Sequence, residues 1–405
     1  MWLYNIAIRI YGLAIYIASF FKEKPKKWID GRKGWKENLP PIDSQKKVCW
    51  FHCASLGEYD QGEPIIKAWK EKYPDHFILI TFFSPSGYEH RKDTPLADFC
   101  TYLPLDTPHN ANIFIKHFNP SYAFFVKYEF WLNHIKACAK NHTKLFLVSG
   151  LIHEKQPFFR WYGAPFRKQL SHFDHLFLQN FSSRDLLLKL GISAVTVSGD
   201  TRFDKVFSRA ENASGDPLIE RWKNKETVYV IGSSWEEDEE LVIPFIAKKQ
   251  QKTIIAPHDV GETNIKRVVS QITSHNIPYA KYTEAERDDK LVEKQVLVLD
   301  CIGKLALAYQ YGKIAHVGGG FGSGLHNILE AAAFGVPVTF GPEYEKFPEA
   351  ALFIKSGVGI SVENQTELAR AYNHYDEQID LMTKKSRNLI FRNRRATEKI
   401  MSYFE

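Results

Sequence analysis

Apolar runs of four to six residues recur along this chain, and stretches of helical periodicity separate them. That alternation restricts the fold more than any other feature. The runs at Val48–Cys53, Phe77–Thr81, Tyr122–Val126, Lys144–Val148, His175–Leu178 and Ala194–Val197 read as strands. Helical patterns fall between them at about 58–72, 107–118, 129–141, 160–171 and 182–190. Such alternation builds βαβ units around a parallel sheet covered on both faces. A polar segment, 208–225, interrupts the pattern. Strands then resume at Thr227–Ile231, Thr253–Ala256, Val296–Leu299, Ile314–Val317 and Pro337–Phe340. The expectation is an α/β protein of two domains, 48–207 and 226–376, joined by a linker at 208–225, which suits 405 residues. A last periodic stretch, 377–405, predicts a long charged helix that either crosses back to the first domain or lies solvated.

The termini and the charge distribution add a second constraint. Residues 1–21 are apolar, rich in aromatics and carry one charge, Arg9, so they predict a membrane anchor that spans the bilayer or lies in its interface. A cleaved signal peptide fits less well, because the positive charges follow the apolar run. Residues 22–47 form a basic linker: 21–38 hold seven Lys/Arg against Glu23, Asp30 and Glu37, a net of +4 within a chain total of +6. Such a stretch suits the anionic cytoplasmic face of a membrane. With 44% hydrophobic residues, disorder is not the default. The five cysteines (Cys49, Cys53, Cys100, Cys138 and Cys301) are odd in number, lack C-x-x-C spacing and mostly lie in or beside apolar segments. They predict buried thiols rather than disulfides or a zinc site.

In open α/β sheets, ligands bind outside the carboxyl ends of strands, so the loops there are the candidates for chemistry. His316–Pro342 passes from a strand into five glycines within Gly318–Gly324, then toward a helix at about His326–Asn327. Glycines there allow close backbone approach to a ligand, Asn327 can cap the helix, and Glu330 lies one turn in. The G-x-G-x-x-G pattern is not met, so an ordinary dinucleotide fold is not indicated. Glu58, in Ala54-Ser-Leu-Gly-Glu58, falls at a helix N-terminus, where the helix dipole favours the carboxylate and it could accept a proton; a purely helix-supporting role is equally open. Glu129 follows another strand, flanked by Tyr128 and Trp131. Arg202 in Gly199-Asp-Thr-Arg202 could clamp a phosphate or carboxylate. In the second domain Ser234 and Glu237 fit a capping box, and Pro257–His258 and Ile302–Gly303–Lys304 close two further strands. None of these loops has metal-ligand spacing, so no metal site is expected.

Taken in order, these loops resemble the 3-deoxy-D-manno-octulosonic acid (Kdo) transferases of lipopolysaccharide assembly. ASLGE at 54–58, YEFWLN at 128–133, SGLI at 149–152, GDTRFDK at 199–205, GSSWEEDE at 232–239, APH at 256–258, DCIGKLALAY at 300–309, VGGGFGSGLHNILE at 317–330 and FGP at 340–342 carry the resemblance. No one of these is diagnostic; the ordered set is. It implies the GT-B fold, two Rossmann-like domains facing a cleft. The N-terminal domain then takes a lipid A precursor and the C-terminal domain takes CMP-Kdo. Glu58 matches the family's general base, and Glu129 and Arg202 match positions that support the transition state. Pro257, His258, Ile302, Gly303, Lys304, Asn327, Ile328, Leu329 and Glu330 match the CMP-binding loops. Arg202 stands where the family usually has Lys, and Pro257-His258-Asp259 lacks the arginine of Pro-Arg-His. Lys304 stands where the family often has Glu, so it could supply the missing positive charge.

The resemblance therefore implies an inverting glycosyltransferase that moves Kdo from CMP-Kdo to the 6′-hydroxyl of a lipid A precursor. It would need no cofactor and no nucleic acid, and would work at the bacterial inner membrane with its catalytic domains on the cytoplasmic side. Two alternatives stay open. One is a GT-B enzyme using a UDP-sugar, like a lipid A disaccharide synthase or an epimerase; the other is a non-catalytic membrane-bound α/β module that binds an anionic lipid.

Overall fold

A computed structural model describes all 405 residues. They form two compact units: Met1–Lys205 with Arg394–Glu405, and Val206–Asn393.

The first unit holds β1 (Val48–His52), β2 (Phe77–Phe82), β3 (Phe99–Tyr102), β4 (Tyr122–Val126), β5 (Lys144–Gly150), β6 (His175–Leu178) and β7 (Val195–Val197). All are parallel, in the order β3-β2-β1-β4-β5-β6-β7. Each central strand is apolar on both faces because helices cover both. Along β1, Trp50 enters one core with Phe114 and Phe125, while Phe51 enters the other with Phe124 and Trp69. The second unit repeats the plan with β8 (Val228–Ser234), β9 (Lys252–Pro257), β10 (Tyr279–Lys281), β11 (Val296–Val298), β12 (Gly312–Val317), β13 (Val338–Phe340) and β14 (Gly359–Ser361), in the order β10-β11-β9-β8-β12-β13-β14. Its strands are parallel as well.

The predicted strands are present. Three that the sequence pattern omits, β3, β10 and β14, are short and lie at the sheet edges. Fewer partners there demand fewer apolar residues, so the periodic signal is weak. The polar 208–225 segment carries the end of the helix Arg202–Glu211 and the helix Pro217–Lys223, whose N-cap Asp216 accepts from the amides of Leu218 and Ile219. The long helix expected at 377–405 is instead two, Ile379–Asn393 and Ala396–Met401. Arg395 adopts φ +84° between them, and its amide and that of Thr397 donate to Asp204. The chain thereby returns to the first unit, where Phe404 packs on Trp69 and Phe146 with ring centroids 5.0 and 4.8 Å apart.

The apolar N-terminus forms the helix Trp2–Ala18, followed by the helix Glu23–Asp30. No single helix in the chain is long and apolar enough to cross a membrane. One face of the first helix is bare: Trp2, Leu3, Ile10, Leu13 and Ile17 are each more than half exposed. The other face is tied to the sheet. Tyr4 donates to the fully buried Asp106 at 2.5 Å, Asn5 Oδ1 accepts from Asn133, and Gly12 lets the helix settle onto Leu105. Asp106 also accepts from the amides of Asn133 and His134 and lies 2.6 Å from His134 Nδ1. Burial works against its charge, yet the bonds from His134, Tyr4 and Asn133 hold its carboxyl below the usual range.

The stability that Asp106 contributes is therefore present above the ordinary carboxylate range and lost as pH falls below it. Asp106→Ala, which strands its donors, should lower the unfolding free energy by about 3 kcal/mol or more, read as a lower urea midpoint. Asp106→Asn should lose the acid-dependent part of the stability.

Candidate functional site

Each sheet has a switch point from which consecutive connections run in opposite directions, between β1 and β4 in the first unit and between β8 and β12 in the second. Loops leaving such a pair part in opposite directions and open a crevice at the strands' carboxyl ends. Glu58, Glu129 and Asn327–Glu330 follow strands of these pairs, whereas Pro257–His258, Ile302–Lys304 and Arg202 follow β9, β11 and β7.

In the first unit, β1 ends at His52 and the helix Leu56–Lys72 begins after Ser55. Glu58 lies in that helix's first turn, 7% exposed, where the unpaired amides favour a negative charge. The Ser55 hydroxyl donates to Glu58 Oε2, and Lys127 Nζ lies 3.5 Å from Oε1. Lys127 follows β4 with φ +72°. Glu129 comes two residues later on irregular backbone, because the helix expected at 129–141 begins only at Leu132. Burial, reinforced by the charge of Glu58, pushes the Glu129 carboxyl up to about 7, against the opposing influence of Lys127 and Trp131. The crevice thus holds two carboxylates that feel each other, with a lysine between them in the sequence.

Beneath the pair is a layer that sequence reasoning did not identify. Trp131 Nε1–H donates to His52 Nε2 at 2.9 Å, which leaves the His52 proton on Nδ1, facing Thr81 Oγ1 at 2.9 Å. Trp50 donates to the same hydroxyl at 2.8 Å. Burial, with the nearby His134 and Arg32, lowers His52 to about 3, so it stays neutral and orients Trp131. Arg32, counted above among the membrane-seeking cations, is instead committed inward. It donates to the carbonyls of Trp28, Phe83 and Leu103, with its guanidinium carbon 3.7 Å from the Trp28 ring centroid. A lone arginine gives no hint of such a cage until the aromatics converge on it.

Arg202 begins the helix Arg202–Glu211 and does not present an open fork. Its Nε and Nη2 both donate to Asp200 Oδ2, at 2.9 and 2.6 Å. The following Lys205 pairs with Asp60 and Glu63.

In the second unit the glycine run is anchored before it is free. Asp238, fully buried, accepts from the amides of Trp235 and Gly319 at 2.9 Å each and lies 3.1 Å from His316 Nε2. The capping box expected from Ser234 and Glu237 does not form: Trp235 is the N-cap, only the reciprocal half is made, by Asp238 accepting from its amide, and Ser234 donates to Glu239. Glycine is required at 319 and 320. Gly319 has φ +92°, and a Cβ there would meet the Gly324 carbonyl at 2.2 Å; at Gly320 it would meet the Gly341 amide at 2.6 Å. The helix after the run starts at Leu329 rather than His326–Asn327 and spans five residues. Asn327 Oδ1 accepts from the Leu329 amide at 3.1 Å, and Ile328 and Leu329 are buried beneath.

The second unit also holds the remaining predicted residues. His258 follows Pro257, its amide donates to the Ser234 carbonyl, and its ring stacks between Trp235 and His326 at 4.7 and 4.3 Å. Burial lowers His258, and burial with the neighbouring His258 lowers His326 to about 4. Glu330 pairs with Arg209 at 2.9 Å, so its carboxylate is not idle. Lys304 lies 3.1 Å from Asp216 and over the Tyr282 ring, still 41% exposed. Gly303 has φ +90°, and Ile302 is 79% exposed beside it. No group of three or more His, Cys, Asp or Glu is arranged to hold a metal ion.

Against known proteins, residues 30–205 match the family model described as 3-Deoxy-D-manno-octulosonic-acid transferase (kdotransferase). A 3-deoxy-D-manno-octulosonic acid transferase of Chlamydia muridarum is 26% identical over 401 residues, covering 91% of this chain and 90% of the relative. One from Rickettsia felis is 28% identical, covering 81% of this chain and 73% of the relative. Among solved structures, UDP-GlcNAc 2-epimerase from Neisseria meningitidis bound to UDP-GlcNAc aligns with a TM-score of 0.63 at 14% identity, over 88% of this chain and 98% of that one. The two Rossmann-like units are those of the GT-B class, and the protein is a glycosyltransferase. Within that class, residues 30–205 resemble the Kdo transferase model, and both relatives, which align over most of the chain, carry the Kdo transferase name.

Because the fold raises Glu129, it favours the protonated carboxyl, and that contribution is lost as pH rises through about 7. Glu129→Gln should therefore be more stable than the native chain at pH 8 and no more stable near pH 4, measured by urea unfolding at both.

Proposed function

We propose that this chain transfers Kdo from CMP-Kdo to the 6′-hydroxyl of a lipid A precursor, with inversion at the anomeric carbon. The observation that carries this is Glu58: a nearly buried carboxylate at a helix N-terminus, at the switch point of the first sheet, oriented by Ser55 and Lys127. In this mechanism Glu58 takes the hydroxyl proton as that oxygen bonds to the anomeric carbon. The bond to the phosphate oxygen breaks, and CMP leaves with the electron pair. Arg202 meets negative charge developing at the reacting centre, its fork already oriented by Asp200. Pro257–His258, Ile302–Lys304 and Asn327–Glu330 hold the CMP, with Lys304 supplying the cation that Pro257-His258-Asp259 lacks. No metal or cofactor takes part.

The bare face of the helix Trp2–Ala18, followed by the lysines at 22, 24, 26, 27, 33 and 36, supports work at the cytoplasmic face of an inner membrane, where an acylated and phosphorylated acceptor is found. Arg32 is left out of that electrostatic surface because its guanidinium is caged.

Glu58→Gln should reduce transfer by about 10²- to 10⁴-fold, the span attributed to a general base, while CMP binding changes by less than about twofold. Purified enzyme, CMP-Kdo and a tetra-acylated acceptor, with product followed by mass spectrometry, give the first quantity. Calorimetry with CMP gives the second. A donor panel in which UDP-sugars react and CMP-Kdo does not would replace this reading with the UDP-sugar alternative.

A further inference from the structure

Lys127 has no role in the motif resemblance, and the geometry gives it one. Its backbone leaves β4 in the left-handed region, φ +72°, which disfavours an L-residue with a side chain. The conformation is held from both sides: the Lys127 amide donates to the Val148 carbonyl at 2.9 Å, and the Leu151 amide donates back to the Lys127 carbonyl at 3.3 Å. A strand continuing straight would turn the next side chain to the opposite face of the sheet. This turn instead sends the lysine over the Tyr128 ring, 4.9 Å from its centroid, and to Glu58 Oε1.

Two carboxylates occupy this crevice, and they cannot share it as independent anions. The other groups facing them supply little positive charge. Ser55 and Cys53 lie by Glu58; Tyr4 and Tyr11 of the N-terminal helix, together with Trp131, lie by Glu129. Lys205 is already paired with Asp60 and Glu63, and Arg32 is caged by carbonyls. Lys127, with its side chain 25% exposed, lies in ion-pair range of Glu58, and it acts on Glu129 only through its longer-range charge.

We propose that Lys127 is a positioning residue that selects Glu58, rather than Glu129, as the carboxylate left ionised in the pair. Glu129 is thereby the member that takes up the first proton as pH falls. The proton acceptor is then held in place by Lys127 and Ser55, with the second carboxyl beside it. The inference rests on Glu58 being the base, but its electrostatic content does not require any reaction to be observed.

The test uses the full chain labelled with ¹³C-glutamate, its two carboxyl resonances assigned with Glu58→Gln and Glu129→Gln and followed against pH. In Lys127→Met or Lys127→Gln the pair should take up its first proton about one pH unit or more higher than in the native chain, as expected when an opposite charge at this range is removed. Lys127→Arg should restore the native curve to within a few tenths of a unit. The acid limb of the transfer rate should move with the titration, so that the neutral variants recover at alkaline pH. An unchanged titration in both neutral variants overturns the proposal, and so does a rate loss equal at every pH. Absence of transfer by the native enzyme would instead overturn the assigned reaction, while the resonance titration still decides the role of Lys127.

Discussion

Asp106 is the point on which the first unit depends. A carboxylate at no solvent exposure is costly unless its lone pairs are engaged, and here the N-terminal helix and the start of the helix Leu132–Lys140 converge on the loop after β3 to engage it. Those same elements carry Trp131 and Glu129 into the crevice. The apolar helix is thus both surface and scaffold: one face is exposed, while Tyr4 and Asn5 on the other reach Asp106 and Asn133 beside the candidate site.

The second unit solves its own problem with the same chemistry. Asp238 and His316 form another fully buried acid–imidazole pair, and Asp238 spends its second oxygen on the amides of Trp235 and Gly319. Burial again opposes the charge, and the bonds from His316, Gly319 and Trp235 hold the carboxyl below its usual range. A glycine run is entropically loose, so fixing its first residues to a buried anion is what makes the remainder a defined loop rather than an ensemble. In both units the backbone beside the candidate site is fastened to a buried ionisable centre.

Much of this was legible from the residues alone. Parallel sheets buried on both faces need uninterrupted apolar strands, so β1, β4, β8 and β12 stood out, and with them the loops that carry Glu58, Glu129 and the glycines. Edge strands such as β14 gave no such signal. The charged candidates were legible as residue types but not as states. Nothing in Gly-Asp-Thr-Arg announces that Arg202 lies folded onto Asp200, or in the glycine-run motif that Glu330 meets Arg209, because those partners are fixed by tertiary packing. The helix break at Arg394–Arg395 was hidden for a related reason: local propensity favours continuation, and the bonds to Asp204 override it.

The return of the chain to its first unit has a consequence for biosynthesis. Phe404 fills a place among Trp69, Phe124 and Phe146, against the oldest strands of the nascent chain. Those strands leave the ribosome early, yet this face of their core stays uncovered until the whole of Val206–Asn393 has been made. Through that interval the second unit is free to fold as a continuous segment, whereas the first waits with an open apolar surface. Synthesis near a bilayer, or a chaperone that shields aromatic clusters, would protect the part of the molecule translated first and completed last.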